Sequence, residues 1–495
     1  MDARHQDFAA PPTGTKAADF DVIVVGAGLS GIAAAYHLQR TCPNKRYAVL
    51  EARQAIGGTW DLFRYPGIRS DSDMFTLGFS FRPWPEVRAI VDGTSIRSYL
   101  EDTARTFGID RHIQFGKKIV SADWSSANAA WTLEVASSDG AVENITCRFL
   151  ITCTGYYDYA GGHAPRFPDE DAFEGRLVHP QLWPRDLDYA GKKVVVIGSG
   201  ATAISLVPAM AQTAAHVTML QRSPSYVVSR SAEDDWGPKL KRFLPDWLTA
   251  KLVRGKYILT TYVTYALSRR YPEKVKAWIL QGVRDRLGGA GDVADFTPHY
   301  KPWDQRVCVV PDGDLFEAIR AGSASVVTDR IEQFVPGGIA LASGRKLDAD
   351  IIVSATGLKL QMLGGMKLTV GGRAVAVSDT FSYQGMLYSG IPNLGTILGT
   401  TNASWTLRAE LNCQYLARLM RHMDKHDIKM VVPKAQERLE QGRPILDLEA
   451  GYVSRALHLL PKQASRAPWR ARSNYFLDAV SMSWTPHRYR GLEFS

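Results

Sequence analysis

The sequence predicts an α/β protein with two Rossmann-like dinucleotide-binding domains, the second inserted in the first and carrying a helical insertion. Three observations predict this fold class. An apolar strand, a glycine-rich turn and a helix follow one another twice along the chain. Two further apolar runs end in Thr-Gly, which is typical of buried strands that empty into a turn. The length of 495 residues also exceeds what one simple core accommodates.

The first unit is centred on the turn GAGLSG (26–31), with glycines at Gly26, Gly28 and Gly31. A β-branched run precedes this turn and a segment of helical period follows it. The glycines let the backbone approach a pyrophosphate at the helix N-terminus. A second apolar run ends at Glu51, twenty residues past Gly31, where a carboxylate can accept hydrogen bonds from a ribose.

The second unit repeats this pattern at GSGATA (198–203), whose predicted cofactor-binding residues are Gly198, Gly200, Thr202 and Ala203. Its second strand is followed by Arg222 and Ser223 rather than by an acid. A carboxylate would repel a ribose 2′-phosphate, whereas a guanidinium can bind one bidentately. The alternative is an exposed arginine on a turn. Together the two units predict FAD facing NADPH, an arrangement that serves hydride transfer to a flavin.

The Thr-Gly pairs at 154–155 and 356–357 define the predicted domain boundaries. We expect a flexible arm over 1–18, the first part of the FAD domain over 19–165 and the NADPH domain over 166–350. The FAD domain and a C-terminal tail then occupy 351–495. Within the NADPH domain, residues at about 236–295 alternate apolar and basic side chains at helical spacing, which predicts the helical insertion.

Composition limits the possible partners. The net charge of +9 equals the excess of twelve Lys/Arg over three acids between Lys239 and Arg286. No nucleic-acid-binding module accompanies this basic stretch, so we expect no nucleic-acid partner. A solvated helical face is the first interpretation, and weak peripheral membrane contact through 239–286 is the alternative. The five cysteines are scattered without metal-ligand spacing, and no targeting segment is evident, which predicts a cytoplasmic protein without a metal.

Two longer motifs resemble the fingerprints of Baeyer–Villiger monooxygenases. The segment GGTWDLFRYPGIRSD (57–71), called here the first fingerprint, matches the pattern [A/G]GxWxxxx[FY]P[GM]xxxD. The segment FEGRLVHPQLWP (173–184), the second fingerprint, matches FxGxxxHxxxW[PD]. From about residue 20 to 470 the chain is similar to the ethionamide-activating subgroup of that family. Segments such as PWDQR and TNASWTL contribute to the similarity.

The resemblance implies a mechanism. In the family, NADPH reduces the flavin, O2 adds to give a flavin peroxide, and this attacks a ketone to form an ester or lactone. The negative charge that develops calls for a fixed cation, and the matching residue is Arg306. Asp71 matches the acid that pairs with this arginine. Many relatives carry a cofactor-contacting lysine just before it, where this chain has Gln305. We therefore expect Arg222 to bind more of the 2′-phosphate.

The remaining predicted site residues also follow from the two fingerprints and the Thr-Gly turns. We place the following residues at the cofactor sites: Gly58, Trp60, Asp71, Gln305, Thr356 and Gly357. In the second fingerprint, Phe173, Gly175, His179 and Trp183 are expected to position the NADPH domain as it moves. A lone histidine in a linker is more often structural than a general base, so His179 is not assigned a proton-transfer role.

Two alternatives remain open at this stage. A flavin-containing monooxygenase acting on nitrogen or sulfur shares the fold, and either family can oxygenate sulfides or thioamides. A flavin-binding redox sensor without turnover belongs to another class, but the intact Arg306, Asp71 and both nucleotide sites argue against it. A disulfide reductase would need a redox cysteine pair, which the sequence lacks. The identity of the ketone or sulfide and the oligomeric state are not predicted.

Overall fold

A computed structural model describes residues 18–400, 402–435, 442–446, 450–471, 474–483 and 489–495. The predicted arm at 1–18 lies almost wholly outside these residues. The described strands, in chain order, are β1 (Phe20–Val25), β2 (Tyr47–Glu51), β3 (Ile113–Phe115), β4 (Lys117–Ser125), β5 (Ala130–Ser137), β6 (Val142–Thr152), β7 (Arg176–Val178), β8 (Lys193–Ile197), β9 (His216–Gln221), β10 (Val227–Arg230), β11 (Cys308–Pro311), β12 (Ala324–Thr328), β13 (Ile331–Val335), β14 (Gly338–Leu341), β15 (Lys346–Asp348), β16 (Ile351–Ser354), β17 (Lys367–Val370), β18 (Arg373–Val375), β19 (Ser382–Tyr383), β20 (Leu387–Tyr388), β21 (Leu394–Thr396), β22 (Val431–Pro433), β23 (Arg443–Pro444), β24 (Lys462–Gln463) and β25 (Leu492–Phe494).

The described α-helices are α1 (Leu29–Thr41), α2 (Thr59–Leu62), α3 (Met74–Leu77), α4 (Gly93–Thr106), α5 (Ala201–Met210), α6 (Trp236–Leu240), α7 (Asp246–Arg270), α8 (Pro272–Leu287), α9 (Asp314–Arg320), α10 (Trp405–Lys425), α11 (Gly451–Arg455) and α12 (Tyr475–Ser483). The expected helical insertion corresponds to α6, α7 and α8. Among the described helices, none has the length and apolarity that a membrane span requires.

Two sheets organise the chain. The first has the strand order β18-β17-β4-β5-β6-β1-β2-β3, with β21 beside β6. Its central strands β21, β6, β1, β2 and β3 are parallel, and β4 to β6 form an antiparallel meander. The second sheet is parallel throughout, in the order β12-β9-β8-β16-β7. The predicted α/β fold class with two Rossmann-like units is confirmed.

The chain enters the second sheet at β7 and leaves it at β16. The insertion was predicted to end at residue 350, but β16 pairs in parallel with both β8 and β7. Its four residues are buried, because an apolar strand in the middle of a parallel sheet is covered on both faces. The run 351–354 therefore belongs to the second sheet. The first sheet resumes only at β17.

Candidate active site

The first glycine turn leaves no space for a side chain at Gly26 or Gly31. A Cβ atom on Gly31 would lie 1.8 Å from the carbonyl oxygen of Gly26. A Cβ atom on Gly28 would meet the Cα of Gly58 at 3.5 Å, which brings the first fingerprint against the turn. Gly58 itself has a φ of 55°, a backbone conformation that favours glycine. Two backbone segments thus form a narrow cradle at the N-terminus of α1.

Glu51 closes this cradle from the end of β2. Its side chain is buried, and its Oε2 atom accepts a hydrogen bond of 2.7 Å from the Ala27 amide. The Oε1 atom accepts a second hydrogen bond of 2.9 Å from the Arg53 amide. These charge-assisted bonds hold the carboxylate in one position. The residue that sequence spacing placed at the ribose therefore lies against the glycine turn.

The segment before α10 runs beside the same turn. The Trp405 indole nitrogen donates a hydrogen bond of 2.9 Å to the Ser30 hydroxyl at the start of α1. Within the described part of the chain, the buried hydroxyl oxygens of Thr400 and Ser404 have no hydrogen-bond partner. Buried unpaired hydroxyls usually indicate a ligand or water. A narrow cradle, a fixed carboxylate and two unpaired hydroxyls fit a long dinucleotide such as FAD.

The second glycine turn is open by comparison. Gly198 packs closely, since a Cβ there would lie 2.4 Å from the Ala355 carbonyl oxygen, but a Cβ on Gly200 would meet nothing within 4 Å. Arg222 and Ser223 are exposed after β9, and the Ser223 carbonyl oxygen accepts a 3.0 Å hydrogen bond from the Ser199 hydroxyl. The arginine therefore lies beside an accessible helix N-terminus, as a 2′-phosphate site requires.

Thr202 and Ala203 begin α5 on the inner side of this turn. Ala203 is buried in the core of the second unit, so its small side chain serves helix–sheet packing. Thr202 is half-buried and faces the hydroxyl of Tyr65 from the first fingerprint. The inner side of the second turn therefore contacts the first fingerprint.

The first fingerprint crosses from one unit to the other. Phe63 and Tyr65 are buried in the core of the second unit, although they follow the first glycine turn in sequence. A Cβ on Gly67 would come within 2.3 Å of the Ser205 carbonyl oxygen, so only glycine permits this approach of the loop to α5. Arg69 forms an ion pair with Asp314 on α9. The loop thereby fixes the position of the two units relative to one another.

Asp71 and Arg306 meet at the end of this crossing. The Arg306 Nε atom lies 2.7 Å from Asp71 Oδ2, and its Nη2 atom donates a 3.0 Å hydrogen bond to Oδ1. The pair is therefore bidentate, and it joins residues 235 positions apart in sequence. The Asp71 carboxylate raises the pKa of Arg306 above its ordinary value, which keeps the guanidinium charged at every working pH. With 37% of its side chain exposed, Arg306 can still face a ligand.

A small pocket lies between the two parts of the first unit. Its walls are mainly apolar, and they include the following residues: Tyr156, Met362, Leu398, Thr400, Trp405 and Leu460. The Arg306 charge acts on the Tyr156 hydroxyl in the pocket wall. An apolar pocket whose wall is reached by the Arg306 charge suits an apolar group that carries one polar atom.

The second fingerprint lies around β7, where the chain passes from the first sheet to the second. His179 Nδ1 accepts a 3.2 Å hydrogen bond from the Gln181 amide, while its buried Nε2 has no partner among the described residues. A Cβ on Gly162 would lie 2.0 Å from the imidazole, so the segment between β6 and β7 packs directly on this ring. Burial lowers the pKa of His179. Its neutral ring fills a linker contact and is not paired with any carboxylate the structure describes.

The other predicted positions have packing or linker contacts. Gly175 has no room for a Cβ, which would lie 2.3 Å from the Asp350 carbonyl oxygen. The Phe173 ring packs edge-on against Phe334 at 6.2 Å, and Trp183 is half-buried against the second core. The Thr356 hydroxyl donates a 2.6 Å hydrogen bond to the His163 carbonyl oxygen. Thr356 and Gly357 were expected at a cofactor site. They lie in the segment that follows β16, and the Thr356 hydrogen bond joins this segment to the one that precedes β7.

Trp60 and Gln305 are two further predicted cofactor residues. Trp60 is half-buried and packs against the core of the first unit beside Gly93. Gln305 is half-buried next to Arg306 and forms a bridge with Pro302. Neither residue forms a side-chain hydrogen bond that identifies a cofactor contact within the described structure.

The site residues that were not predicted from the sequence are Tyr65, Gly67, Tyr156, Thr400 and Ser404. Tyr65 and Gly67 lie inside the first fingerprint, and Tyr156 directly follows one of the Thr-Gly turns. Their positions in these motifs could therefore have indicated a role at the site. Their contacts depend on chain segments far apart in sequence, which local patterns do not report. The unpaired hydroxyls of Thr400 and Ser404 become visible only once burial is known.

Comparison with known proteins agrees with this geometry. Residues 20–362 match the family model described as flavin-binding monooxygenase-like. The chain is similar to the FAD-containing monooxygenase EthA of Mycobacterium tuberculosis, with 51% identity covering 92% of this chain and 94% of EthA. It is also similar to the putative FAD-containing monooxygenase MymA of the same species, with 50% identity covering 93% and 94% of the two chains.

A solved structure supports the same fold. The crystal structure of OTEMO in complex with FAD and NADP has a TM-score of 0.73 and 19% identity, covering 97% of this chain and all of OTEMO. That identity speaks for the fold alone, whereas the family model spans well over half of the chain. The chain therefore belongs to the flavin-binding monooxygenase-like family, which confirms the predicted flavoprotein monooxygenase.

Proposed function

We propose that this protein is a Baeyer–Villiger monooxygenase that uses FAD, NADPH and O2 to insert one oxygen atom beside a ketone carbonyl. The product is an ester or a lactone, and sulfides or thioamides are oxygenated as a second activity. The observation that supports this function is the bidentate Arg306–Asp71 pair at the crossing between the two nucleotide units. A flavoprotein that oxidises only nitrogen or sulfur needs no such fixed cation.

Each cofactor has residues that fit it. The Gly28–Gly58 cradle and Glu51 would hold the adenosine and pyrophosphate part of FAD near the N-terminus of α1. Arg222 binds the 2′-phosphate of NADPH at the open second turn. FAD, when bound, supplies the centre that accepts hydride and activates O2. The chain's own residues orient the substrate and stabilise charge.

Arg306 supplies the fixed positive charge for the oxygen-transfer step. Attack on a ketone carbonyl creates negative charge on the carbonyl oxygen, and a preorganised cation stabilises that charge without reorganising. Asp71 holds the guanidinium in one orientation through two contacts. Because the two residues come from different units, their contact depends on the packing of the first fingerprint against α5. The placement of the cation therefore depends on how the two units pack against each other.

Product analysis tests this function directly. The purified protein is incubated with NADPH and a panel of linear ketones, aryl ketones and thioethers, and products are identified by gas chromatography. We expect one oxygen from labelled O2 in an ester and a separate sulfoxide product. Oxygenated sulfide without any ester would favour the flavin-containing N/S-monooxygenase alternative. FAD-bound protein that oxidises no NADPH with any substrate would favour the redox-sensor alternative.

We further propose that this cytoplasmic enzyme touches anionic membranes peripherally through its helical insertion. On α7, Leu252, Leu259, Val263 and Leu267 are exposed at helical spacing, and the exposed Phe243 precedes the helix. These apolar side chains lie within the segment 239–286, whose net charge is +9. Apolar side chains flanked by cations are typical of interfacial helices.

Vesicle flotation tests the membrane contact. We expect binding to vesicles of phosphatidylglycerol at low salt and little binding to phosphatidylcholine. Leu259→Glu should weaken that binding, whereas Val142→Glu, at an equally exposed apolar residue on the first sheet, should not. Equal binding of both variants would show that the α7 surface is not the membrane contact. Oligomers that dissociate only in Leu259→Glu would instead identify this surface as an interface between copies.

A further inference from the structure

Three tyrosine hydroxyls cluster beside Arg306. Tyr156 and Tyr157 follow the Thr-Gly turn at the end of β6, and their hydroxyl oxygens lie 3.1 Å apart. The two rings are tilted against each other with centroids 4.4 Å apart. The Tyr452 hydroxyl on α11 also interacts with Tyr156. The Tyr156 hydroxyl thus has a hydroxyl neighbour from each of two chain segments.

Only Tyr156 of this cluster lines the pocket. Its ring stacks on Trp405 with centroids 5.2 Å apart, and both rings form part of the pocket wall. The neighbouring wall residues Met362 and Leu398 are apolar. Among the wall residues that the structure describes, only Tyr156 and Thr400 carry a side-chain hydroxyl, so a polar group on a substrate in this pocket has few hydrogen-bond donors available. A tyrosine in an apolar wall supplies a donor at a defined position.

The electrostatic surroundings keep this donor protonated. Burial raises the pKa of Tyr156 well above its ordinary value, while the Arg306 charge opposes that rise. Burial likewise raises the pKa of Tyr157 and Tyr452, and Arg306 acts on both. The hydroxyls therefore remain neutral O–H donors over the working pH range. They also lie within the electric field of a cation.

We propose that the Tyr156 hydroxyl donates a hydrogen bond to the carbonyl oxygen of the ketone, with Tyr157 and Tyr452 as positioning residues. This role rests on the proposed Baeyer–Villiger activity. Attack on the carbonyl carbon moves an electron pair onto the carbonyl oxygen, and the hydrogen bond from Tyr156 strengthens as that charge develops. No proton leaves the tyrosine. Arg306 provides the positive charge, and the hydrogen bond from Tyr156 sets the direction of the carbonyl group. The carbonyl group is therefore held in one orientation beside the cation.

The proposed role of Tyr156 predicts different effects on ketone and thioether substrates. A ketone needs a donor at its carbonyl oxygen, whereas a thioether has no carbonyl and reacts through its sulfur lone pair. Removal of the Tyr156 hydroxyl should therefore affect ketone oxygenation selectively. A purely structural role for the ring would affect both substrates, because both reactions use the same pocket and the same flavin.

The experiment compares Tyr156→Phe with the unaltered FAD-bound enzyme on one aryl ketone and one aryl thioether of similar size. Tyr156→Phe should lower kcat/KM for ester formation about a hundredfold, as expected for the loss of one preorganised donor. The value for sulfoxide formation should change by less than about twofold. Sulfoxide formation and the bound-flavin spectrum serve as the internal checks that the variant is folded.

Tyr157→Phe is the matched control, since it removes a hydroxyl from the same cluster but not from the pocket wall. It should lower ester formation far less than Tyr156→Phe. Equal losses of ester and sulfoxide in Tyr156→Phe would overturn the proposed donor role, and so would unchanged ester formation. An unaltered enzyme that makes sulfoxide but no ester would refute the proposed function itself, and the role of Tyr156 with it.

Discussion

The two glycine turns share one sequence pattern but differ in how the surrounding chain encloses them. The first is covered by the fingerprint backbone at Gly58 and by the buried Glu51, which is bonded to the turn. The second is open at Gly200 and leads to the exposed Arg222. An enclosed site suits a cofactor that stays bound through many turnovers, and an open site suits one that enters and leaves. Part of the difference lies within the first turn, where a Cβ on Gly31 has no room beside the Gly26 carbonyl oxygen, and part lies in the chain that surrounds it.

The strongest test of this difference places the same methyl group in each turn. Gly31→Ala puts a Cβ at 1.8 Å from a backbone oxygen, so the turn must shift, and we expect bound FAD to fall about tenfold or more. Gly200→Ala, in the turn proposed to bind NADPH, meets no atom within 4 Å and has an ordinary φ of −80°, so the Michaelis constant for NADPH should hardly change. Flavin absorbance per protein measures the effect in the first turn, and NADPH oxidation kinetics measure the effect in the second.

A large rise in the Michaelis constant for NADPH in Gly200→Ala would contradict the comparison, since it would mean that the second turn is enclosed as well. A melting curve for each variant shows whether Gly31→Ala remains folded. If it remains folded with full flavin, the first turn is less rigid than its contacts indicate.

The exposed arginine of the second turn gives the next largest effect. Arg222→Ala should raise the Michaelis constant for NADPH about tenfold to a hundredfold through loss of a charge-assisted contact. The constant for NADH should hardly change, because NADH has no 2′-phosphate. Arg373→Ala, at an exposed arginine on β18, is the matched control and should alter neither constant. A parallel loss for both cofactors would show that Arg222 does not bind the phosphate.

The smallest effect concerns the linker that separates the two sites. Burial lowers the pKa of His179, so the folded state favours the neutral ring. The contribution of this residue to stability is therefore present above the ordinary histidine pKa and is lost as the pH falls below it. His179→Gln should flatten the fall in melting temperature between about pH 7 and pH 5. Identical pH profiles for the two proteins would show that His179 does not couple to folding.

The sequence predicted those parts of the molecule that depend on local patterns. Both glycine turns, their strands and the helical insertion follow from residue spacing, because each is formed by neighbours in the chain. The position of β16 in the second sheet did not follow, since a buried strand carries no mark of which sheet it joins. The Arg306–Asp71 contact was predicted through resemblance alone, because 235 residues separate the partners.

The contacts that join the two units were not predictable from the sequence. The Tyr65 ring is buried in the core of the second unit although it lies in the chain of the first. The approach of Gly67 to the Ser205 carbonyl depends on the path of a loop that no periodicity describes. Such contacts arise from the packing of whole units, which is why the site became visible only in three dimensions.

We propose that ester formation requires one fixed cation, which is held across the two units. The most direct measurement is ester formed per NADPH consumed by Arg306→Ala, with bound FAD quantified in the same sample. We expect normal flavin content and a hundredfold to thousandfold loss of ester rate, on the order found for other preorganised charges. Asp71→Ala should be impaired less, since it disturbs the orientation of the cation but leaves its charge. Ester formation by Arg306→Ala at close to the original rate and coupling would contradict the account.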